Sequence, residues 1–133
     1  MIPILESAII CLALNVYHEA RGEPVRGQLA VALVTLNRAK RRQDKVCEVV
    51  FAPWQFSWTN GATLPPIKNQ KAFKRSLGIA RAAMKIPDFT QGSTHYHHED
   101  VYPKWAPSLV PVEQIGQHIF YKRKHGTKND AYQ

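Results

Sequence analysis

The stretch that organises this chain is Tyr17-His18-Glu19-Ala20-Arg21-Gly22-Glu23-Pro24. It follows an almost uninterrupted apolar segment with helical spacing, and it ends at a glycine and a proline that cannot continue the helix. Ionisable side chains are therefore collected at the end of a helix that we expect to be covered on most sides. Burial shifts the pKa values of such groups, and shifted pKa values are typical of active sites. We therefore predict that Glu19 is the centre of an active site.

The two carboxylates of this turn are expected to have different roles. A carboxylic acid at the end of a buried helix loses hydration, which disfavours its charged form and raises its pKa. Such an acid can protonate a leaving oxygen near neutral pH, as the acid of a glycosidase must. One of the two acids is instead expected to pair with Arg21 in a structural clasp. From the spacing we favour the clasp for Glu23 and the catalytic role for Glu19.

The pattern of apolar residues predicts the order of the secondary structure. Helical spacing indicates four helices, over residues 5–20, 24–41, 44–51 and 69–84. Alternating residues predict a strand over 92–98 that pairs with a second strand over 117–121. Asp44 is expected to cap the third helix, and Trp54 is assigned to the core. The fold class that follows is a mainly helical α+β domain with one small antiparallel sheet.

Length and composition are typical of a globular enzyme or binding domain. With 133 residues, 44% of them hydrophobic and 21% charged, we expect a single domain over 1–133. Residues from about 122 to 133 are expected to form a frayed basic tail. No apolar run is long enough for a membrane span, and the N-terminus lacks the basic region and cleavage site of a signal peptide. We therefore expect synthesis in the cytoplasm without a leader.

The charge and the cysteines indicate the kind of partner and the redox state. Lys and Arg number 18 against 10 acids, a formal net charge of +8. Such an excess favours a polyanionic partner, whether nucleic acid, an anionic membrane surface or an anionic wall polymer. The basic run over 38–42 is interpreted as a solvated helix end. Cys11 and Cys47 lie in apolar surroundings without CxxC spacing, and we interpret them as two buried free thiols.

A histidine cluster follows in the first predicted strand. His95 and His97 point to the same face of a strand, a spacing that can chelate zinc. His18-Glu19 resembles the start of a zinc-protease helix motif, but Gly22 occupies the position of its second histidine. In the plainer interpretation His95, Tyr96 and His97 line a groove, where they form hydrogen bonds and stacking contacts. A core position for at least one histidine stays open. We expect no metal and no cofactor.

Several motifs, in order, resemble the cell-wall hydrolase family named for the spore-cortex-lytic enzyme SleB. They cover roughly residues 10 to 122, nearly the whole chain. After the opening stretch they are Leu36-Asn37-Arg38, Cys47-Glu48-Val49-Val50-Phe51, Gln55-Phe56-Ser57-Trp58, Thr94-His95-Tyr96-His97, Pro103-Lys104-Trp105-Ala106 and Ile115-Gly116-Gln117-His118-Ile119-Phe120-Tyr121.

The resemblance implies a lysozyme-like fold and a lytic transglycosylase. Such an enzyme cleaves the bond between N-acetylmuramic acid and N-acetylglucosamine in peptidoglycan with one essential glutamate, which by motif position is Glu19. This residue would protonate the glycosidic oxygen and then act as base toward the muramyl 6-hydroxyl, closing a 1,6-anhydro ring. Arg21 and Glu23 would be structural residues near the site. The positions implied to contact sugar are Gln55, Phe56, Ser57, Tyr96, His97 and Trp105.

The resemblance also implies a biological setting. A stand-alone basic domain of this kind looks like a phage endolysin, made in the host cytoplasm and released to the wall. The expected partners are peptidoglycan and an anionic wall or outer-membrane surface, with no nucleic acid and no membrane span, and the expected state is a monomer.

Three alternatives stay open. A muramidase of the same fold would use water and a second carboxylate, for which Glu23, Glu99 and Asp100 are the nearest acids in sequence. A basic nucleic-acid-binding module would account for the charge, although no recognition motif is present. A zinc hydrolase acting on wall peptides is the third.

Overall fold

The structure, a computed structural model, describes residues 3–53 and 55–124. This part of the chain forms four helices followed by a three-stranded sheet, so the predicted mainly helical α+β class is confirmed. The elements are α1 (Ile4–Ala20), α2 (Val25–Arg38), α3 (Gln43–Val50), α4 (Gln70–Lys85), β1 (His95–His98), β2 (Val110–Ile115) and β3 (His118–Lys122). Trp54 and residues 125–133, which include most of the expected tail, lie outside the described residues.

Helix α1 is the centre of the helical layer and packs against α2, α3 and α4. Small and aliphatic side chains line the covered part of α1, which allows three helices to approach it closely. Those with no exposed surface are Ala8, Leu12, Ala13 and Val16. None of the described helices is long and apolar enough to cross a membrane. Glu19 therefore lies in the last turn of the helix against which the other three helices pack.

The region between α2 and α3 differs from the prediction. Helix α2 ends at Arg38, and the chain turns through Lys40 and Arg41, whose φ angles of 53° and 61° are left-handed. The N-cap of α3 is Arg42 and not Asp44. The prediction for Asp44 is wrong because its carboxylate lies in the first helical turn and pairs with the Arg42 guanidinium at 2.9 Å.

The sheet has the strand order β1-β3-β2. The predicted antiparallel pairing of the first and last strands is confirmed, with His95 opposite Tyr121 and His98 opposite His118. Strand β2 is missing from the prediction. It lies at the sheet edge and contains Pro111. A proline argues against a strand prediction because it has no N–H group to donate to the neighbouring strand. Strand β1 also begins at His95, later than predicted, since Gly92 belongs to a turn.

The interpretation of the cysteines as free thiols is wrong. Cys11 of α1 and Cys47 of α3 form a disulfide, with their Cα atoms 5.3 Å apart. This separation lies within the range that a disulfide requires. The packing of α3 on α1 produces it, and a sequence separation of 36 residues gives no sign of that packing.

Candidate active site

Glu19 occupies the last turn of α1 and is held from the sheet. The Tyr96 hydroxyl of β1 donates a hydrogen bond of 2.6 Å to Glu19 Oε1. Burial raises the pKa of the Glu19 carboxyl, and the bond from Tyr96 lowers it by a smaller amount. The net effect is a carboxyl that keeps its proton to higher pH than an exposed glutamate, with one oxygen fixed and the other available.

Glu19 opens into a cavity of about 190 Å³ between the helical layer and the sheet. The residues that line it are Glu19, Arg38, Gln55, Phe56, His95, Tyr96 and Trp105. Four of the six positions implied to contact sugar thus lie in one cavity with Glu19. The remaining two, Ser57 and His97, are not among the described lining residues.

His97 lies behind the cavity wall. It is 8% exposed, its Nε2 is 2.9 Å from the Tyr121 hydroxyl, and its Nδ1 is 2.7 Å from the His98 carbonyl oxygen. Its ring meets the Trp105 ring at a centroid distance of 5.7 Å. His97 therefore packs against Trp105, which itself lines the cavity. Both of its ring nitrogens face protein oxygens, which does not match the ligand arrangement that the His95–His97 spacing suggests.

Ser57 also lies apart from the cavity. It is an exposed residue that begins a short 3₁₀ turn, Ser57–Thr59, directly after Phe56. Among the residues that the structure describes, no three histidine, cysteine or acidic side chains are grouped as a metal site.

Sequence analysis missed Arg38. The basic run over 38–42 is interpreted there as a solvated helix end, yet Arg38 is only 6% exposed and lines the cavity with Glu19. The sequence contained an indication of this buried position. Arg38 follows Val31, Val34 and Thr35 at helical spacing, and all three of those residues are buried.

The cation at Arg38 affects the neighbouring histidine. The pKa of His95 is lowered to about 4, first by burial and then by the positive charges of Arg38 and Arg123. His95 is therefore a neutral ring at neutral pH, able to accept or donate a hydrogen bond in the cavity. Its ring lies 4.9 Å from that of Trp105.

A second cavity also has Glu19 in its lining. Its volume is about 340 Å³, and its lining includes His18, Glu19, Arg21, Glu23 and His118. Glu19 therefore borders both cavities. A polymer with residues on both sides of the cleaved bond needs such a position for the acid.

The predicted clasp between Arg21 and Glu23 is not formed, although both residues belong to the described part of the chain. Arg21 Nη1 donates to the Tyr17 carbonyl at 3.0 Å, and its guanidinium covers the Tyr17 ring. Glu23 Oε1 instead accepts the Gln117 backbone N–H at 2.9 Å and lies 3.8 Å from His118 Nδ1. Glu23 thus joins the end of α1 to the turn between β2 and β3.

A buried amide supports α1 one turn before Glu19. Asn15 is fully buried, and its Oδ1 accepts a hydrogen bond of 2.8 Å from Trp58 Nε1. Asn15 also lies beside the Tyr96 hydroxyl, and the Trp58 ring stacks on His18 at 4.5 Å. In the sequence, this contact was indicated only by the polar Asn15 within the apolar row of α1.

Comparison with known proteins identifies the family of this chain. The profile of a family described as Cell Wall Hydrolase matches residues 22–121. This chain belongs to that family. The matched range begins three residues after Glu19, so the family match does not by itself assign a role to that residue. The placement of Glu19 rests on the cavities and on its bond to Tyr96.

Curated relatives and solved structures show which cell wall hydrolases this chain is similar to. The spore cortex-lytic enzyme of Halalkalibacterium halodurans is 34% identical over 118 residues, covering 86% of this chain and 34% of the relative. That of Bacillus subtilis strain 168 is 32% identical over 112 residues, covering 82% and 35%. The catalytic domain of the germination-specific lytic transglycosylase SleB from Bacillus anthracis superposes with a TM-score of 0.71 at 32% identity, covering 88% of this chain and 95% of that domain. The Bacillus cereus SleB catalytic domain gives a TM-score of 0.70 at 32% identity, covering 88% and 91%.

These comparisons confirm the resemblance and the lysozyme-like α+β fold. The chain is a cell wall hydrolase domain of the SleB type, and hence an enzyme domain. It spans between 34% and 45% of the length of the curated relatives that it matches.

Proposed function

We propose that this chain cleaves peptidoglycan glycan strands as a lytic transglycosylase, with Glu19 as its single acid and base. The observation that carries the proposal is the position of the Glu19 carboxyl. Glu19 lines two cavities, burial raises the pKa of its carboxyl, and the Tyr96 hydroxyl holds one of the carboxyl oxygens. The solved SleB domain with the same fold is named a lytic transglycosylase.

The reaction needs one proton donor that recovers its proton. Protonated Glu19 would give its proton to the oxygen that links muramyl C1 to the next sugar, and the C1–O bond would break. The resulting carboxylate would take the proton of the muramyl 6-hydroxyl while that oxygen bonds to C1. The products are a strand with a free 4-hydroxyl and a 1,6-anhydromuramyl end. Glu19 returns to its protonated form, and no water is consumed.

The cavity walls offer the contacts that a sugar needs. Phe56, Tyr96 and Trp105 present aromatic surface, while Gln55 and neutral His95 present hydrogen-bonding groups. We propose these residues as the sugar-binding walls. The predicted sugar contacts of Ser57 and His97 stay predictions, and from its position His97 would act by holding Trp105 in place.

Helix α4 supports the proposed affinity for an anionic wall or outer-membrane surface. Its outer side has no acidic residue, and its cations lie on one side of the helix over about four turns. In the described part of the chain no ion pair neutralises them. They are Lys71, Lys74, Arg75, Arg81 and Lys85. Adsorption through this face would weaken as salt rises.

We propose a phage endolysin as the biological role, with residues 1–133 acting as one monomeric catalytic domain. The disulfide between Cys11 and Cys47 fits action outside the reducing cytoplasm, where such bonds persist. Expression in the bacterial cytoplasm followed by permeabilisation of the inner membrane would then cause rapid lysis. Intact cells after that treatment would count against the endolysin role and leave the enzymatic proposal in place.

A water-using muramidase is the second candidate, favoured by one observation. Glu23 lines the same cavity as Glu19 and could supply the second carboxylate that such an enzyme requires. Its Oε1 is, however, held by the Gln117 N–H and lies close to His118. The products distinguish the two reactions, because hydrolysis leaves a reducing muramic acid end.

Replacement of Glu19 by glutamine tests the proposed acid. Glu19→Gln should lower the rate of dye release from labelled peptidoglycan by roughly 10²–10⁴-fold, the usual contribution of a general acid. Its amide oxygen can still accept the bond from Tyr96, so the fold should be kept. Because the pKa of Glu19 is raised in the folded state, ionising it costs stability at neutral pH, and the variant should be at least as stable at pH 7. The difference in stability between the variant and the unmodified protein should vanish as the pH falls below 4.5.

The matched control is Glu6→Gln, which removes an exposed carboxylate from the first turn of the same helix. It should keep the activity of the unmodified protein. Full activity of Glu19→Gln would show that another group donates the proton.

A further inference from the structure

A third cavity, rich in cations, adjoins the cavity of Glu19. Its volume is about 400 Å³, and Arg38 belongs to the lining of both. Four of its lining residues are cationic, and no carboxylate is among the described residues that line it. The lining consists of Asn37, Arg38, Lys40, Arg41, Gly92, Thr94 and Arg123. A concave site with charge of one sign attracts a ligand of the opposite sign.

Asp88, a half-buried acid that is not among the described lining residues, holds the wall of this cavity together. The Asp88 carboxylate accepts hydrogen bonds from the Thr90 N–H at 2.8 Å, the Gly92 N–H at 2.7 Å and Asn37 Nδ2 at 3.1 Å. Asn37 also donates to the Ser93 carbonyl at 2.9 Å. These bonds fix the loop over 88–93 against the end of α2. The Asp88 oxygens are thus occupied by hydrogen bonds from that loop and from Asn37.

The backbone on the opposite rim is unusual. Lys40 and Arg41 are consecutive non-glycine residues with φ angles of 53° and 61°. Glycine or asparagine is the usual occupant of this conformation at the end of a helix, because a Cβ atom makes it unfavourable. Here the turn has two cationic side chains at the cavity rim. Arg41 Nη2 also donates to the Ile86 carbonyl at 3.2 Å, which restricts the guanidinium.

We propose that this cation cavity, formed by Arg38, Lys40, Arg41 and Arg123, binds carboxylates of the peptide attached to muramic acid while the glycan lies at Glu19. The inference rests on the proposed function. A glycan of alternating N-acetyl sugars carries no charge of its own, whereas its peptide carries several carboxylates. Guanidinium groups suit carboxylates because they can form two parallel hydrogen bonds. Arg38 lines both cavities, so a peptide that starts at a muramic acid beside Glu19 meets cations at once.

The electrostatics of the neighbouring histidine agree with this assignment. Burial and the charges of Arg38 and Arg123 lower the pKa of His95 to about 4. Positive potential thus extends from the cation cavity into the wall of the catalytic cavity. A carboxylate bound between the two cavities would offset this positive potential.

The test compares two soluble substrates and two variants. Glycan strands with tripeptide stems are compared with the same strands after an amidase has removed the peptides, which leaves one lactyl carboxylate on each muramic acid in place of the several carboxylates of a stem. In Lys40→Gly/Arg41→Gly both rim cations are lost at positions whose left-handed backbone glycine adopts freely, so this variant should fold. The control Lys45→Gln/Lys68→Gln removes two lysines that line neither cavity and lie outside the basic face of α4. The measurement is kcat/KM for each substrate.

The unmodified protein should prefer the peptide-bearing strands, and this preference should fall roughly tenfold in Lys40→Gly/Arg41→Gly, the loss expected for a charged hydrogen bond. The control should keep the preference of the unmodified protein. An unchanged preference in Lys40→Gly/Arg41→Gly would overturn the inference. An equal fall in both variants would also overturn it, because general attraction would then explain the effect.

A binding measurement separates this inference from the proposed function. If neither substrate is cleaved, the proposed function fails, and the Glu19→Gln protein can be titrated with the free tripeptide of the stem. Shifts of the Gly92 and Thr94 amide resonances that Lys40→Gly/Arg41→Gly abolishes would support the cation cavity. Resonances that do not move would overturn it.

Discussion

At the scale of single residues, the behaviour of Glu19 depends on two opposing effects. Burial favours the neutral carboxyl, and the Tyr96 hydroxyl favours the carboxylate. The same contact, together with burial, raises the pKa of Tyr96, so this hydroxyl stays a donor throughout the working range. The pair therefore provides a carboxyl with a raised pKa and with one oxygen held by a hydrogen bond.

Tyr96→Phe removes the hydrogen bond that favours the charged form of Glu19. The pKa of Glu19 should rise further, so the alkaline limit of activity should move to higher pH. The maximal rate should fall, because the carboxyl is no longer held in one orientation. The measurement is the pH profile of peptidoglycan cleavage. Tyr102→Phe is the control, since Tyr102 is 71% exposed, and an alkaline limit that stays in place or moves to lower pH in Tyr96→Phe would contradict this account.

At the scale of elements, α1 is fixed near its middle and just after its end. The disulfide joins it to α3 two turns before Glu19, and Glu23 joins its end to the turn between β2 and β3. A side chain at Gly116 would collide with the Glu23 carboxylate, and Gly116 also has a positive φ of 58°. The position of Glu19 relative to the sheet thus depends on covalent and hydrogen-bonded contacts beyond its own helix.

Reduction of the disulfide should destabilise the fold. The bond closes a loop between residues separated by 36 positions, for which the loss should be about 2–4 kcal/mol of unfolding free energy. Urea titrations with and without reductant measure it, and Cys11→Ala/Cys47→Ala should show no effect of reductant. Two reactive thiols in the denatured, unreduced protein would disprove the bond.

Two glycine substitutions test the turn at Glu23. Gly116→Ala should lower the unfolding free energy by roughly 1–3 kcal/mol, because the added methyl group meets Glu23 in a left-handed conformation. Gly78→Ala in α4 should instead raise it by about 0.5–1 kcal/mol, since nothing lies within 4 Å of the added atom. Thermal unfolding of both variants is the measurement. Equal stability of Gly116→Ala and the unmodified protein would mean that Glu23 does not contact this turn.

At the scale of the whole molecule, local patterns predicted the helical layer and the pairing of β1 with β3. Apolar periodicity predicts α1, and the end of that helix predicts where Glu19 lies. The disulfide, the partner of Glu23 and the inward position of Arg38 were not predicted. Each depends on how distant segments pack, as in the contact between Glu23 and Gln117 across 94 residues. Periodicity reports which face of an element is buried and not which element covers it.

The molecule as a whole combines a catalytic junction, a cation cavity and a basic helix face. All three fit a substrate that is a long polymer with a neutral backbone and anionic branches. Cations that contribute to the net charge of +8 lie both beside the cleft and on α4.

The central claim is cleavage by a single glutamate without water. Its most direct test is mass spectrometry of purified peptidoglycan digested by the protein, beside digestion by Glu19→Gln. The account predicts 1,6-anhydromuramyl ends from the unmodified protein and none from the variant. Reducing muramic acid ends would contradict it, because water would then be the nucleophile and Glu23 the first candidate for a second carboxylate.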